Sequence, residues 1–587
     1  MNRVETTVYD VAICGAGLAG LTLARQIKRA LPHASILLMD RLTRPLPTAA
    51  FKVGESSVEI GAHYLGEKLG LSEYFDRSHF HKLGLRYFFG DTHGSFEKRP
   101  EFGLSHFPKV NSYQMDRGVL ESDLRQMNAD MGIELMEGVG VQDILLSEDG
   151  TPHQVVVQNR ENRQVRHIQA RWVVDATGRR RLLQKKLGLA RERTGPQCSA
   201  SWFRYEGQLN LDDMAGPDQA EWHARVPDRK RYFSTNHLMG PGYWVWFIPL
   251  APDSTSVGIV THTDVVPFKE HNTFERSMQW LRTNEPAVAD FLEGREPLDF
   301  KVMRHYSHTS RQVFSEQRWA CVGESGVFAD PFYSPGTDMI GFANTITTEM
   351  IRLDFEGELT AKQVSGYNQF LIGFNDSLTD NIQFGYPFFG HATVSAAKLL
   401  WDFTAAWSFV CPQMFNSFYL DAEKSAQVRS VTAPYFFLAR RLQQMLADWA
   451  ALSPGRLTFE FIDYLSLEFL HKLRQRNLQT GKNLAELLAD QEENMARVEE
   501  LAQVLFLLAV EDVMPEFLDR IPEPIWLNPW AMSLKPERWE KDGLFRPKSQ
   551  PRDLSEMRQQ IRSMFKLKET SSMTSPVEEP LELVTAE

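Results

Sequence analysis

The sequence predicts an α/β fold in which a parallel sheet is combined with a mixed β region and followed by a mainly helical C-terminal part. Three observations support this prediction. Residues 9–14 and 34–39 have apolar strand patterns, and residues 21–30 between them have a helical one. Residues 133–174 and 199–260 contain short alternating stretches, and the apolar spacing becomes helical beyond residue 344. The order strand, helix, strand indicates a βαβ unit at the start of the chain.

The composition excludes several classes of protein. Lys and Arg number 64 against 76 Asp and Glu, which gives a formal net charge of −12 over 587 residues. Such a chain lacks the basic surface that phosphate backbones require, so we predict no nucleic acid partner. Four scattered cysteines and the absence of a signal sequence predict a cytoplasmic protein without a metal site. No apolar run approaches the roughly 20 residues of a transmembrane helix, so none is expected.

The turn after the first strand carries the pattern GxGxxG and opens a helix. It consists of Gly15, Ala16, Gly17, Leu18, Ala19 and Gly20. The first glycine permits the tight turn, the second lets the backbone approach a pyrophosphate, and the third allows close packing of helix on strand. Asp40 ends the second strand, where an acid can accept hydrogen bonds from a ribose. These features predict a Rossmann-like dinucleotide-binding domain, and a glycine turn used only for packing is the alternative.

Two later segments favour FAD as the dinucleotide. Asp175 begins the sequence Asp-Ala-Thr-Gly after a strand, and residues 323–331 read Gly-Glu-Ser-Gly-Val-Phe-Ala-Asp-Pro after another. Both resemble motifs of the two-domain FAD monooxygenase superfamily. The resemblance implies cofactor contacts from Asp175, Gly323, Glu324 and Pro331. Glu324 stands where that superfamily usually has an Asp near the ribityl chain. Arg117 matches a helix-start Arg that often contacts FAD, and a solvated surface Arg is the alternative.

A strand pattern narrows the resemblance further. Residues 243–249 read Tyr-Trp-Val-Trp-Phe-Ile-Pro and contain Trp-x-Trp-x-Ile-Pro, by which the chain resembles the flavin-dependent halogenases. Trp244 and Trp246 lie two apart and therefore on one face of a strand. In that family they form a wall near the passage between flavin and substrate. Two ordinary core tryptophans are the alternative.

The same resemblance implies a catalytic lysine. Residues 54–56 read Gly-Glu-Ser, like a segment of these enzymes that places Ser56 at the cofactor. Residues 79–90 resemble the segment that carries the family's lysine, and the matching residue is Lys82. Lysine suits this role because burial shifts its pKa readily and its amine is a nucleophile. Lys52 is a second candidate, and a surface lysine without a role is the alternative.

Residues 328–336 resemble the family segment that runs beside the flavin ring and binds halide through backbone amides. The resemblance assigns the halide to Ser334, Pro335 and Gly336. Pro335 has no N–H, so one donor is missing, whereas Gly336 keeps its amide and can adopt a positive φ. Halogenases of free tryptophan have a glutamate before the Ser, but this chain has Tyr333. The difference favours phenolic or pyrrolic substrates.

The resemblance implies an FADH2-dependent halogenase of secondary metabolite biosynthesis. Such an enzyme uses O2 and chloride or bromide to form hypohalous acid, which the lysine directs to an electron-rich aromatic ring, free or tethered to a carrier protein. No second GxGxxG for NAD(P)H is present, so a separate flavin reductase is the expected partner. A homodimer is left open. An FAD-dependent monooxygenase on the same scaffold is the alternative function, and a non-catalytic scaffold that retains FAD is a third.

The predicted domain organisation has three parts. The expected FAD-binding core spans residues 1–350, with FAD-binding parts at about 1–130, 131–190 and 300–350 and a substrate-region sheet at about 191–300. A helical region spans 351–545, and a partly disordered tail spans 546–587. Predicted helices lie at 345–355, 433–452 and 483–508. The aromatic stretches 384–390 and 403–409 either close a substrate pocket or pack in the core.

Overall fold

The computed structural model describes residues 8–47, 54–193, 195 and 197–568. Lys52 and the predicted disordered residues 569–587 therefore lie outside the described residues. The strands are β1 (Val8–Cys14), β2 (Ile36–Met39), β3 (Phe80–His81), β4 (Leu85–Phe88), β5 (Glu101–Gly103), β6 (Tyr113–Gln114), β7 (Glu134–Met136), β8 (Val139–Leu145), β9 (His153–Asn159), β10 (Val165–Asp175), β11 (Ala190–Arg191), β12 (Cys198–Glu206), β13 (Thr235–Gly240), β14 (Tyr243–Leu250), β15 (Ser254–His262), β16 (Asp299–Met303), β17 (Thr309–Ser310), β18 (Phe314–Ser315), β19 (Trp319–Cys321), β20 (Leu457–Thr458), β21 (Phe461–Asp463) and β22 (Lys566–Leu567).

The α-helices are α1 (Leu18–Ala30), α2 (Glu59–His63), α3 (Ser72–Ser78), α4 (Arg117–Asp130), α5 (Leu182–Lys186), α6 (Ala220–Arg225), α7 (Phe274–Asn284), α8 (Pro286–Leu292), α9 (Gly336–Glu356), α10 (Ala361–Gly385), α11 (Ala392–Ala405), α12 (Cys411–Asn416), α13 (Ala422–Leu452), α14 (Glu468–Asn477), α15 (Leu484–Val513), α16 (Trp539–Asp542) and α17 (Ser555–Ser563). A π-helical segment, Ala406–Val410, joins α11 to α12.

The first sheet contains the predicted βαβ unit. Its strands run in the order β18-β19-β10-β1-β2-β7, and β9 and β8 continue from β10 by antiparallel pairing. The pairs β10–β1, β1–β2, β2–β7 and β10–β19 are parallel. All four residues of β2 are buried, as expected for a parallel strand covered on both faces. The carboxyl ends of β1, β10 and β19 therefore meet at one edge, beside the start of α1.

The second sheet is assembled from distant parts of the chain. Its order is β16-β12-β15-β14-β13-β4-β5-β21. Strands β12 to β16 fall close to the predicted range of 191–300, but β4 and β5 come from the N-terminal part and β21 comes from the helical region. β21 pairs with β5 in parallel, and parallel strands require a long connection. A pairing between strands so far apart in the chain leaves no local sequence pattern from which it could be predicted.

The C-terminal region is mainly helical. The helix predicted at 345–355 is the second half of α9. The helix predicted at 483–508 corresponds to α15, in which Asn483 is the N-cap and the helix continues to Val513. The helix predicted at 433–452 extends further toward the N-terminus, since α13 begins at Ala422 and continues through Pro434. A proline is favoured in the first turn of a helix, which explains the late predicted start. Within the predicted tail, α17 buries Met557 and Ile561.

The predicted α/β fold class is thus confirmed, with both the sheet and the helical region present. Among the described residues, no helix combines the length and apolar character needed to cross a bilayer.

Candidate active site

A groove of about 360 Å³ lies between the two sheets. One wall is formed by the start of α1 and by the turns that follow β10 and β19. The opposite wall is formed by side chains of β12, β13, β14 and β16. The predicted cofactor residues in its wall are Gly17, Ala19, Ser56, Arg117, Gly323, Glu324 and Pro331.

The glycines of the first turn have two different roles. A Cβ on Gly15 would lie 2.3 Å from the carbonyl oxygen of Ala176, and one on Gly20 would lie 2.0 Å from that of Gly15. These two glycines are required by packing. A Cβ on Gly17 would meet no protein atom within 4 Å, and α1 has no side-chain cap at its N-terminus. Open amides and open space at a helix start fit the pyrophosphate of a dinucleotide.

Two predicted acids stand behind the groove and shape it. Asp40 Oδ2 accepts a hydrogen bond from the Ala16 amide at 2.7 Å. Asp175 is fully buried and accepts hydrogen bonds from the amides of Thr177 at 2.9 Å and Leu183 at 2.8 Å. In the described part of the chain, neither acid belongs to the groove wall. Asp175 thus fixes the turn whose backbone faces the cofactor position.

Charged side chains surround the middle of the groove. Arg117 Nη2 donates to Glu121 Oε1 at 2.7 Å, and Arg117 lies in the wall together with Arg179 and Glu324. Burial lowers the pKa of Arg117 to about 10, although the nearby Glu324 opposes this shift. Burial also raises the pKa of Glu324, against the two arginines. Arg117 is therefore a groove residue and not the solvated surface Arg of the alternative.

Trp244 and Trp246 both lie in the groove wall, with ring centroids 5.6 Å apart. Trp244 Nε1 donates to the Tyr386 hydroxyl at 2.9 Å, and Trp246 Nε1 donates to Ser256 Oγ at 3.1 Å. A Cβ on Gly258, which pairs with Trp246 across the strands, would lie 2.2 Å from its indole. The two rings are thus held in fixed positions by packing and by their own N–H groups.

Lys82 is buried and reaches the groove through a serine. Its side chain is 1% exposed, and Nζ donates to Ser56 Oγ at 2.8 Å and to the Ser57 carbonyl at 2.9 Å. Ser56 Oγ also lies 2.8 Å from Thr235 Oγ1 and 3.2 Å from Ser334 Oγ. Burial lowers the pKa of Lys82 to about 7.

A second cavity of about 460 Å³ lies on the other side of Lys82, under the helical region. Its walls come mainly from α10, α11, the π-helical segment and α13. Aromatic rings cover much of it and come from Tyr333, Phe370, Phe374, Phe403, Trp407, Phe409, Phe418, Tyr435, Phe436 and Tyr464. Its polar wall residues include Lys82, Glu59, Asp338, Arg474, Asn381 and Asp402. Flat rings in an apolar cavity of this size suit a small aromatic ligand.

The segment 333–335 separates the two cavities. Ser334 lies in the groove wall, Tyr333 lies in the wall of the second cavity, and Pro335 lies in both. Lys82 belongs to the second cavity and is hydrogen-bonded to Ser56 in the groove. The partition therefore consists of this segment together with the Lys82–Ser56 contact.

The predicted halide segment has one residue in the left-handed region of φ. The positive φ falls on Ser334, at +57°, while Gly336 is the first residue of α9. Gly336 therefore does not use the positive φ that a glycine can adopt. The first hydrogen bond inside α9 runs from the Met339 amide to the Pro335 carbonyl. The amides of Gly336 and Thr337 come before this bond in the chain and therefore have no acceptor within the helix. Because Pro335 precedes the first residue of α9, its missing N–H leaves all the amides of the first helical turn in place.

Several wall residues carry no sequence signal. Thr235 and His237 of β13 face the groove, and burial lowers the pKa of His237 to about 3, so its ring is neutral. Asn381 and Asp402 reach the second cavity from two different helices. None of these residues belongs to a recognisable spacing pattern, because long-range packing brings them together.

Comparison with known proteins agrees with the groove as a flavin site. Residues 8–266 match the family described as FAD binding domain. The flavin-dependent halogenase chlA of Dictyostelium discoideum is 23% identical over 497 residues, covering 76% of this chain and 81% of that protein. A 1H-pyrrole-2-carbonyl-(peptidyl-carrier protein) chlorinase of Pseudomonas fluorescens is 26% identical over 354 residues, covering 56% and 73%. The sulochrin halogenase gedL of Aspergillus terreus is 23% identical over 399 residues, covering 62% and 68%.

Solved structures share the fold. The halogenase PltM in complex with phloroglucinol and FAD superposes with a TM-score of 0.59 at 17% identity, covering 84% of this chain and 96% of that one. The flavin-dependent brominase Bmp2 gives a TM-score of 0.52 at 22% identity, covering 67% and 91%.

Proposed function

We propose that this chain, which belongs to the flavin-dependent halogenase family of FAD-binding enzymes, uses chloride or bromide to halogenate an electron-rich phenolic or pyrrolic ring. The observation that carries the proposal is the position of Lys82. It is buried in the partition between a groove that fits FAD and an aromatic cavity that fits the substrate. A residue at this point can pass an electrophile from one side to the other.

Reduced FAD, when bound in the groove, supplies the chemistry that converts O2 and halide into hypohalous acid. Gly17 and the first amides of α1 would hold the pyrophosphate, and Arg117 and Glu324 would hold the middle of the cofactor. Trp244 and Trp246 restrict this side of the partition to small species, since both indoles are fixed.

Lys82 has two ways of directing hypohalous acid. As an ammonium it donates a hydrogen bond to the acid. As an amine it attacks the halogen of the acid, so that an N–halogen bond forms while the O–halogen bond breaks, and the released hydroxide leaves as water with a proton of the amine. Because burial lowers its pKa to about 7, both forms are accessible near neutral pH. Arginine would offer only the first. The lysine therefore keeps a mobile oxidant beside one carbon of the substrate.

The halide site is proposed at the start of α9. The amides of Gly336 and Thr337 precede the first intrahelical bond and lie in the groove wall. A helix N-terminus favours an anion. Burial raises the pKa of the neighbouring Asp338 to about 8, so its carboxyl is largely neutral at pH 7 and does not repel halide.

The substrate class follows from the second cavity and from the relatives. Its aromatic lining suits a flat ring, and Tyr333 gives it a phenolic hydroxyl. The relatives include a chlorinase of a carrier-bound pyrrole and a halogenase of sulochrin. We propose an electron-rich aromatic substrate that enters either free or attached to a carrier protein.

The proposal is tested with the full chain, FAD, NADH, a separate flavin reductase, oxygen and either chloride or bromide. Probe phenols and pyrroles are analysed by mass spectrometry for halogen incorporation. We expect halogenated products, and a loss of roughly 10²- to 10⁴-fold in Lys82→Ala while flavin reoxidation continues. The matched control is Lys52→Ala, which removes the other candidate lysine and should halogenate like the wild type.

Hydroxylated products without halogen would instead assign the chain to the FAD-dependent monooxygenases. Undiminished halogenation in Lys82→Ala would remove Lys82 from the mechanism. Loss of halogenation in Lys52→Ala, with Lys82→Ala active, would transfer the role to Lys52.

A further inference from the structure

The wall of the second cavity contains a polar cluster that the proposed reaction does not yet use. Its cavity-facing members are Tyr333, Asn381 and Asp402, which come from the partition segment, α10 and α11. Lys398, also on α11, is 1% exposed and stands close to the same carboxylate. A buried carboxylate in an otherwise mostly aromatic wall requires a function or a structural reason.

The hydrogen bonds of Asp402 leave one acceptor position open. Oδ2 accepts from the Tyr333 hydroxyl at 2.5 Å and is 2.9 Å from Lys398 Nζ. Oδ1 accepts from Asn381 Nδ2 at 3.1 Å. A carboxylate oxygen accepts about two hydrogen bonds, so Oδ2 is filled and Oδ1 can accept one more.

Lys398 balances the charge of this carboxylate from behind. Its Nζ also donates to the Asn381 carbonyl at 3.0 Å and to Gln443 Oε1 at 3.1 Å. Burial strongly raises the pKa of Tyr333, so its hydroxyl remains a neutral donor. The cluster is thus neutral as a whole, and a charged ligand group beside it would lose its hydration without gaining a partner. A neutral O–H or N–H group meets the open acceptor without this cost.

We propose that Asp402 Oδ1 accepts the ring O–H or N–H of the aromatic substrate, while Tyr333, Asn381 and Lys398 hold the carboxylate in position. This assignment rests on the proposed function, since it names the group of the substrate that the same cavity recognises. Donation of that hydrogen bond increases the electron density of the ring at the positions that a halogen electrophile attacks. Asp402 is then both the specificity determinant and an activating group, in the same cavity as Lys82.

The test measures binding separately from turnover, with the FAD-loaded full chain and no reductase. The two probes are para-nitrophenol, which has the O–H, and para-nitroanisole, which has a methyl group in its place. Both probes are added at a pH about two units below the pKa of free para-nitrophenol, so that the unbound phenol is neutral. In the wild type we expect tighter binding of the phenol and an absorption band shifted toward that of phenolate. Asp402→Asn keeps the side-chain shape but removes the charged acceptor, so its affinity for the phenol should fall roughly tenfold or more while that for the anisole changes little.

Asp512→Asn is the matched control, because Asp512 is a fully buried carboxylate of the helical region that accepts from Trp449 Nε1 at 2.8 Å and is not in the cavity wall. It should leave both affinities unchanged. Equal binding of phenol and anisole, or an unshifted absorption band in the wild type, would overturn the proposal. The band is measured on the wild type, so an unshifted band overturns the proposal even if Asp402→Asn fails to fold.

The halogenation assay separates the two proposals. A wild type that binds phenol through Asp402 but adds no halogen keeps the subsite and removes the proposed function. If Asp402→Asn halogenates the probe phenols at the same rate as the wild type and with the same KM, the proposed function stands and the proposed role of Asp402 is overturned.

Discussion

The groove and the second cavity meet at Lys82 but are built in opposite ways. The groove is formed by turns that follow parallel strands, with glycine backbone and charged side chains at its wall. The cavity is formed mainly by aromatic side chains of the helical region, most of them from α10, α11, the π-helical segment and α13. A phosphate is bound by backbone amides that it must approach closely, and this approach requires glycines at fixed positions in the turn. A flat apolar ligand needs only a shape, which many side-chain combinations can give.

The difference explains why more of the groove than of the cavity is visible in the sequence. Each motif of the groove spans only a few residues, although the motifs themselves lie between residues 17 and 340. The cavity collects mostly single residues between 58 and 491, and of its wall the sequence indicated only Lys82, Tyr333, Pro335 and part of the aromatic stretch 403–409. The partition combines both kinds of construction. Tyr333, Ser334 and Pro335 belong to one motif, but Ser334 lies in the groove wall while Tyr333 lies in the wall of the second cavity.

The largest effect is expected from the glycines that define the groove. Gly17→Ala adds a methyl group where no protein atom lies within 4 Å, so the apoprotein should keep its stability while FAD affinity falls at least tenfold. Gly20→Ala brings a methyl group against the Gly15 carbonyl, and the apoprotein should lose about 1–3 kcal/mol of unfolding free energy. FAD titration by fluorescence and denaturant unfolding of the apoprotein measure the two effects.

The two variants serve as controls for each other. If Gly17→Ala destabilised the apoprotein as much as Gly20→Ala, the first turn would be a packing device and the groove would lose its assignment to a dinucleotide.

The next prediction concerns the electrostatic environment of Lys82. Asp338 and Glu59 both raise the pKa of Lys82, against the larger lowering by burial. Glu59→Gln removes the larger of these contributions, so the pKa of Lys82 should fall and the inflection in the halogenation rate should move to lower pH. The rate as a function of pH, followed by product formation, measures the shift.

The direction in which the halogenation rate changes with pH identifies the active form of Lys82. A rate that falls as pH rises through the inflection indicates the ammonium, and a rate that rises indicates the amine. Asp512→Asn should leave the inflection in place. An inflection that moved upward in Glu59→Gln would contradict the proposed electrostatics.

The smallest effect is expected where the helical region reaches the groove. The hydroxyl of Tyr386, which follows α10, accepts from Trp244 Nε1 and lies 3.1 Å from the nearer carboxylate oxygen of the buried Asp330. Tyr386→Phe removes both contacts and should cost about 1 kcal/mol of unfolding free energy, since Asp330 keeps the hydroxyl of Tyr306. Denaturant unfolding of the FAD-bound protein measures the loss. An unchanged stability would mean that the two regions are not coupled through this contact.

The sequence predicts the βαβ unit, the dinucleotide turn and the order of the later motifs, because each depends on spacing within a short segment. It does not predict that β4, β5 and β21 complete the second sheet, since pairings between distant strands leave no local pattern. It assigns Asp175 to the cofactor, and the structure places that carboxylate behind the turn. Nor does the sequence predict the positive φ at Ser334 or the hydrogen bond that the Ser334 hydroxyl donates to Ser56 Oγ.

The sequence by itself predicted the class of the protein through its resemblance to a known family, and it predicted many residues of the groove wall, because glycines and paired tryptophans lie in short motifs. Only the tertiary structure decided that Lys82 is buried between two cavities and that Asp402 and Tyr333 share a wall. Burial and cavity shape arise from packing among helices far apart in the chain, and both the pKa of a lysine and the fit of a ring depend on that packing.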